Sequence, residues 1–108
     1  MKVSDIVIYN VADYLRISKN EIDTSLRREL ETYLNVAKKY IKDETGLSDE
    51  ELEEHEDFVI AIYVLCQDMY DNRTLYVDKS NTNKVIETIL GRHRRNLLWK
   101  MLENIIKK

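Results

Sequence analysis

The sequence predicts an all-α protein, a compact bundle of about four helices with a C-terminal amphipathic extension. Three observations predict it. The 108 residues hold no proline and only two glycines, too little turn punctuation for a sandwich or barrel. Apolar residues recur at steps of three and four along most of the chain, the spacing of one helical face. That regular recurrence also argues against disorder, and the length suits one domain with a modest core.

The elements follow in order. Ile6-Val7-Ile8-Tyr9 is short and apolar, and reads equally as an extended stretch or an early helical turn. Asn10 is expected to cap a helix from Val11 to Arg16, closed by Ile17, because its side chain can accept from an orphan backbone N–H. Ser18-Lys19-Asn20 reads as a polar loop. In the second helix Ile22, Leu26, Leu30, Tyr33, Leu34, Ala37, Tyr40 and Ile41 share one face. Its early acids, Glu21 and Asp23, and its late bases, Lys38, Lys39 and Lys42, suit the helix dipole. Gly46 is the natural left-handed stop after Thr45.

Ser48-Asp49-Glu50-Glu51 starts a new helix as a capping box, with a pause expected near His55. The run from Phe58 to Tyr70 is apolar on almost every side, which places it in the middle of a bundle or between subunits. Asp71-Asn72-Arg73-Thr74 ends it, and Leu75-Tyr76-Val77 reads as a short extended link. Asn81 or Thr82 is expected to cap a further helix with Val85, Ile86, Ile89 and Leu90 inward, stopped or kinked at Gly91. The helical domain thus spans residues 1–91. Residues 92–108 form a basic extension in which Leu97, Leu98, Met101, Leu102, Ile105 and Ile106 keep helical spacing, with Trp99 to one side.

Candidate chemistry is sparse. His55 lies in Glu53-Glu54-His55-Glu56, and with Glu51 it makes half of a metal site. The sequence places no further ligand beside that pair, whereas a catalytic zinc takes three, so His55 reads as a surface histidine at a helix start. His93 lies among three arginines, whose field opposes metal binding and protonation alike. Cys66 sits mid-helix in the most apolar segment, the setting of an inert core thiol. Gly46 and Gly91 end separate helices and make no phosphate loop. Tyr33, Tyr40, Tyr63 and Tyr70 lie at or beside apolar stripes, so packing with hydroxyls at the rim is expected. No catalytic residue, cofactor or bound metal is expected, and the chain does not read as an enzyme.

Charge is more informative. The net charge of −3 hides an asymmetry: residues 92–108 carry +5 and the rest of the chain −8. No base interrupts the acids between Asp43 and Asp57. Glu50, Glu51, Glu53, Glu54, Glu56 and Asp57 form a candidate acidic interface, or else a solvated face. Arg92, Arg94, Arg95, Leu98, Trp99, Leu102 and Ile106 form a candidate partner interface on the tail. That tail either packs on its own core or docks on another subunit, with phosphate or membrane contact as further uses. No stretch approaches the ~20 apolar residues of a membrane span, and a soluble protein of the cytoplasm is expected.

Three segments together carry a resemblance. They are Asn10-Val-Ala-Asp-Tyr-Leu-Arg-Ile17, the run Leu34-x-x-Ala37-x-x-Tyr40-Ile41 ending in Thr45-Gly46, and the apolar helix closing as Tyr70-Asp71-Asn72-Arg73. In order and spacing they resemble the small head–tail connector (adaptor) family of tailed phages and prophages, whose members are also described as DNA-packaging proteins. The stretch from Val85 to Arg92 is similar to that family's short last helix, while residues 48–57 and the tail beyond Arg95 depart from the pattern. The resemblance implies an all-α structural adaptor without catalytic residues, at the virion neck and, during assembly, in the host cytoplasm. It implies a ring of about a dozen copies under the portal protein, closed by heterologous contacts, and compatible with a monomer when isolated. Such a ring seats a downstream tail-completion or stopper protein and passes DNA through its channel without specific binding. The alternative from a different class is a small nucleic-acid-binding regulator that uses the basic tail on phosphates.

Overall fold

The computed structural model describes residues 1–74, Val77 and residues 84–106, with the side chains of residues 94–101, 103 and 104 outside that set. Five α-helices lie among the described residues: α1 (Ile8–Tyr14), α2 (Thr24–Thr45), α3 (Asp49–Glu53), α4 (Asp57–Asn72) and α5 (Lys84–Ile106). Short 3₁₀ turns occupy Val3–Asp5 and Lys19–Glu21. There are no strands among the described residues, so the all-α reading holds.

The centre is the packing of α2 on α4, with α1 and α5 each lying against both. From α2 the core takes Leu30, Tyr33, Leu34, Ala37 and Ile41, and from α4 it takes Phe58, Ala61, Ile62, Leu65, Cys66 and Met69. The stripe read from the sequence therefore faces the core, with Leu26 and Tyr40 partly buried at its edges. Ile22 packs against the core from outside the helix, because Asp23 caps α2 through a 2.7 Å bond from the Leu26 N–H. Although α4 is apolar on most sides, Ile60 is 54% exposed.

The helix ends show why the chain breaks where it does. Gly46 has φ 67° and returns its N–H to Lys42 at 2.8 Å, the left-handed stop that only glycine adopts without strain. The buried Thr45 hydroxyl donates to the Ile41 carbonyl at 2.7 Å and accepts from the Leu47 N–H, which leaves no orphan at that corner. Ser48 and Glu51 form the reciprocal box, each side chain accepting the other's backbone N–H at 3.2 Å. The pause falls at His55, between α3 and α4.

Four expectations are corrected. Asn10 does not precede α1 but lies inside it, and its Oδ1 accepts the Val7 N–H at 2.9 Å; the helix starts earlier because an Asn three residues in can cap backward. The first helix also stops at Tyr14, short of Ile17. Val85 does not face inward but is 45% exposed, whereas Ile86, Ile89 and Leu90 are buried. Gly91 does not stop the last helix, which continues to Ile106. A single glycine inside a helix costs only about 1 kcal/mol, less than the flanking apolar contacts return. The expected link at Leu75-Tyr76 and the cap at Asn81 or Thr82 lie outside the described residues.

Two arginines take the conformation usually left to glycine. Arg16 has φ 62° and Arg73 has φ 51°. Each follows a helix as the left-handed residue of a Schellman motif. Ile17 N–H reaches the Ala12 carbonyl at 2.8 Å after α1, and Thr74 N–H reaches Met69 at 3.0 Å after α4. The paired orphan carbonyls compensate for the crowding of an L-residue's Cβ.

Two substitutions test these backbone assignments by urea denaturation. A Cβ built on Gly91 meets nothing within 4 Å, so Gly91→Ala is expected to add about 0.5–1 kcal/mol of stability. Arg16 is exposed, and Arg16→Gly is expected to gain about 1 kcal/mol by removing the left-handed penalty.

Candidate functional site

The chain turns at Glu54–Glu56 between α3 and α4, and α5 supplies the third wall of that corner. Its side chains converge there because each element ends or passes at a fixed place. The capping box sets where α3 begins, His55 occupies the gap, Asp57 opens α4, and His93 stands on α5. An acid in the first turn of α4 is favoured by the helix dipole.

His93 is 95% buried by its 5% exposure. Its Nε2 lies 3.1 Å from Asp57 Oδ2, while its Nδ1 is buried without a hydrogen-bond partner. The ring packs on Phe58 at 4.3 Å between centroids and on His55 at 4.4 Å. His55 is half-buried and meets Phe58 edge-on at 5.7 Å. Arg92 Nη1 reaches Asp57 Oδ2 at 4.0 Å from the solvent side. One nitrogen of each histidine and a carboxylate oxygen of Asp57 lie within 4.8 Å of one another. Chemically the corner offers two imidazoles and one carboxylate, a donor set for a proton or a borderline metal cation.

Sequence reasoning placed these residues differently. His55 is half-buried in the gap before α4, and its ring packs on His93. Glu51 spends a carboxylate oxygen on the Ser48 N–H. His93 does not sit in the field of the arginines alone, since Asp57 stands against it. One signal pointed to it: Ile86, Ile89, Leu90 and His93 recur at helical spacing, so the imidazole belongs to the inward stripe.

The acidic interface residues are divided by the fold. The Glu53 carboxylate accepts from the Ser4 N–H at 2.9 Å and its hydroxyl at 3.0 Å, and Asp57 faces α5. Glu50, Glu54 and Glu56 remain exposed. On the tail, Arg92, Leu102 and Ile106 are exposed. Arg94, Arg95, Leu98 and Trp99 belong to α5, with side chains outside the described set. Acidic stretch and basic tail thus meet within one chain at Asp57 and Arg92, a contact that reading the charges as head-to-tail partners did not foresee.

A second cluster joins α2 to the end of α4. The Tyr33 hydroxyl and the Arg73 guanidinium both donate to Glu29 Oε1, and Arg73 lies over the Tyr70 ring at 4.3 Å. Burial, with the bond to Glu29, pushes the Tyr33 hydroxyl up to about 12. Partial burial works to raise the Glu29 carboxyl, but the bonds from Tyr33 and Arg73 overcome it and hold it below the usual carboxylate range. Tyr14 and Tyr63 stack at 5.1 Å, so these tyrosines pack as expected. Burial pushes the Cys66 thiol up to about 12, which leaves it a core residue with no thiolate to offer.

Compared with known proteins, the chain matches no family model, no curated protein and no solved structure.

The lowered Glu29 carboxyl fixes a sign. Below about pH 4.5 the unfolded chain takes up a proton that folded Glu29 resists, so this contribution is present above that pH and fades as pH falls. Urea melts at neutral pH and about pH 3.5 are expected to show a smaller acid loss in Glu29→Gln than in the native chain.

Proposed function

We propose that this chain is a structural connector at the neck of a tailed phage, working through protein–protein contact along α5. The observation that carries the reading is the exposed apolar end of α5. Ile86, Ile89, Leu90 and His93 are buried, and the helix runs on to Ile106, about 20 Å beyond His93 at 1.5 Å per residue. At that end Leu102, Ile105 and Ile106 are 44%, 69% and 81% exposed. Apolar side chains gathered at the end of a helix are the usual mark of a surface awaiting a partner.

Shape and a second patch support it. The radius of gyration is 15.2 Å and the longest dimension 55 Å, against about 13 Å expected for a compact chain of this length. Ile60 on α4 and Val85 on α5 flank a shallow groove with Asp57, Thr88, Ile89 and Arg92. A closed ring needs two different patches on each copy, one meeting the other under a rotation. The tip of α5 and the Ile60–Val85 groove are two such patches. The sequence resemblance to head–tail connectors names the assembly, with the portal and a downstream tail protein as neighbours.

Among the described residues no helix is long and apolar enough to cross a membrane. The alternative, a small nucleic-acid-binding regulator, would use the basic tail on phosphates.

Deleting residues 96–108 tests the reading. The expected product keeps a helical spectrum and a cooperative melt but is lost from purified virus particles. Undiminished incorporation of the truncated chain would count against the connector. A low-salt shift assay with duplex DNA separates the alternative. Binding with a steep salt slope, about one logarithmic unit per phosphate contacted, would favour a regulator, and no shift is expected.

A further inference from the structure

We propose that His55, Asp57 and His93 form a binding site for a divalent transition-metal cation of the zinc class. The site would staple α5 to the α3–α4 corner, and the inference is independent of the connector reading. Two facts support it. A nitrogen from each histidine and an Asp57 oxygen lie within 4.8 Å of one another. Ligand atoms around tetrahedral zinc are about 3.3 Å apart, given bonds of ~2.0–2.1 Å. The Nε2–Oδ2 pair of His93 and Asp57, at 3.1 Å, already stands at that spacing. His55, half-buried, would rotate to close the remaining distance.

The second fact is donor chemistry. Two imidazoles with one carboxylate suit zinc, cobalt or nickel and not the all-oxygen preference of magnesium or calcium. Three protein ligands leave a fourth position for water.

Charge around the corner is compatible with a cation. Arg92 opposes it at 4.0 Å from Asp57, but its side chain is 67% exposed and is free to swing into solvent. Glu54 and Glu56, both exposed, flank His55 in sequence and favour a cation. Two ligands come from the corner and the third from α5, 36 residues beyond Asp57. Binding would therefore be coupled to docking of α5 and would appear as folding stability.

The test uses the full, untagged chain stripped with a chelator. Calorimetry is expected to give one zinc per chain, and zinc at a hundredfold excess over Kd is expected to raise the melting temperature by about 10 °C. His55→Gln and Asp57→Asn are each expected to keep the metal-free fold, while losing at least about tenfold in affinity and with it about half or more of the thermal shift. Cobalt added to the native chain gives a readout that needs no variant, namely visible bands of a four-coordinate site. Absence of zinc binding, binding that both variants retain in full, or a cobalt spectrum like that of the aqueous ion would each overturn the proposal.

Discussion

The burial of α4 against α2 is the constraint on which the other helices depend. Phe58, Ala61, Ile62, Cys66 and Met69 on one side and Leu30, Tyr33, Ala37 and Ile41 on the other are at most 1% exposed. A helix as apolar as α4 has no stable position at a surface, so it must be covered on several sides, and α1, α2 and α5 are what cover it. Fully buried side chains each contribute about 1.5–3 kcal/mol from removal of apolar area. The exposed ion pairs, such as Lys39–Asp43 and Lys42–Asp49, contribute little beside that. The charges orient surfaces; the apolar seam holds the fold.

From that seam the position of α5 follows, and with it both functional proposals. Its first turns are held by Ile86, Ile89 and Leu90, which are buried, and by His93, which reaches Asp57 at the head of α4. Its far end carries exposed apolar side chains. One helix therefore has a fixed root and a free tip, the arrangement expected of an arm that carries a contact away from the body. A cation at the root would stiffen the arm's attachment without touching its tip, so assembly and metal binding can succeed or fail separately.

The acidic stretch shows how charge in a sequence differs from charge in a fold. Nine acids lie between Asp43 and Asp57 without a base among them, yet they do not act as one surface. Asp49 pairs with Lys42, Glu51 caps Ser48, Glu53 holds Ser4 and Asp57 takes His93 and Arg92. Glu50, Glu54 and Glu56 remain toward solvent. Of the tail's bases, Arg92 meets the acidic stretch within the same chain, at Asp57.

What the sequence determined by itself is what acts over a few residues. The apolar stripe of α2, the Gly46 stop, the Ser48–Glu51 box, the pause at His55 and the inert setting of Cys66 were all legible, because capping and periodicity involve groups within about one or two turns. Where two local outcomes differ by only about 1 kcal/mol, local reading failed: Gly91 inside a helix and Asn10 capping backward. The candidate site belonged to tertiary structure. Helical spacing from Ile86, Ile89 and Leu90 could have marked His93 as inward, but nothing in the sequence could say that it would lie against His55 and Asp57. That meeting depends on how α5 crosses α4, which is set by the packing of side chains far apart in the chain.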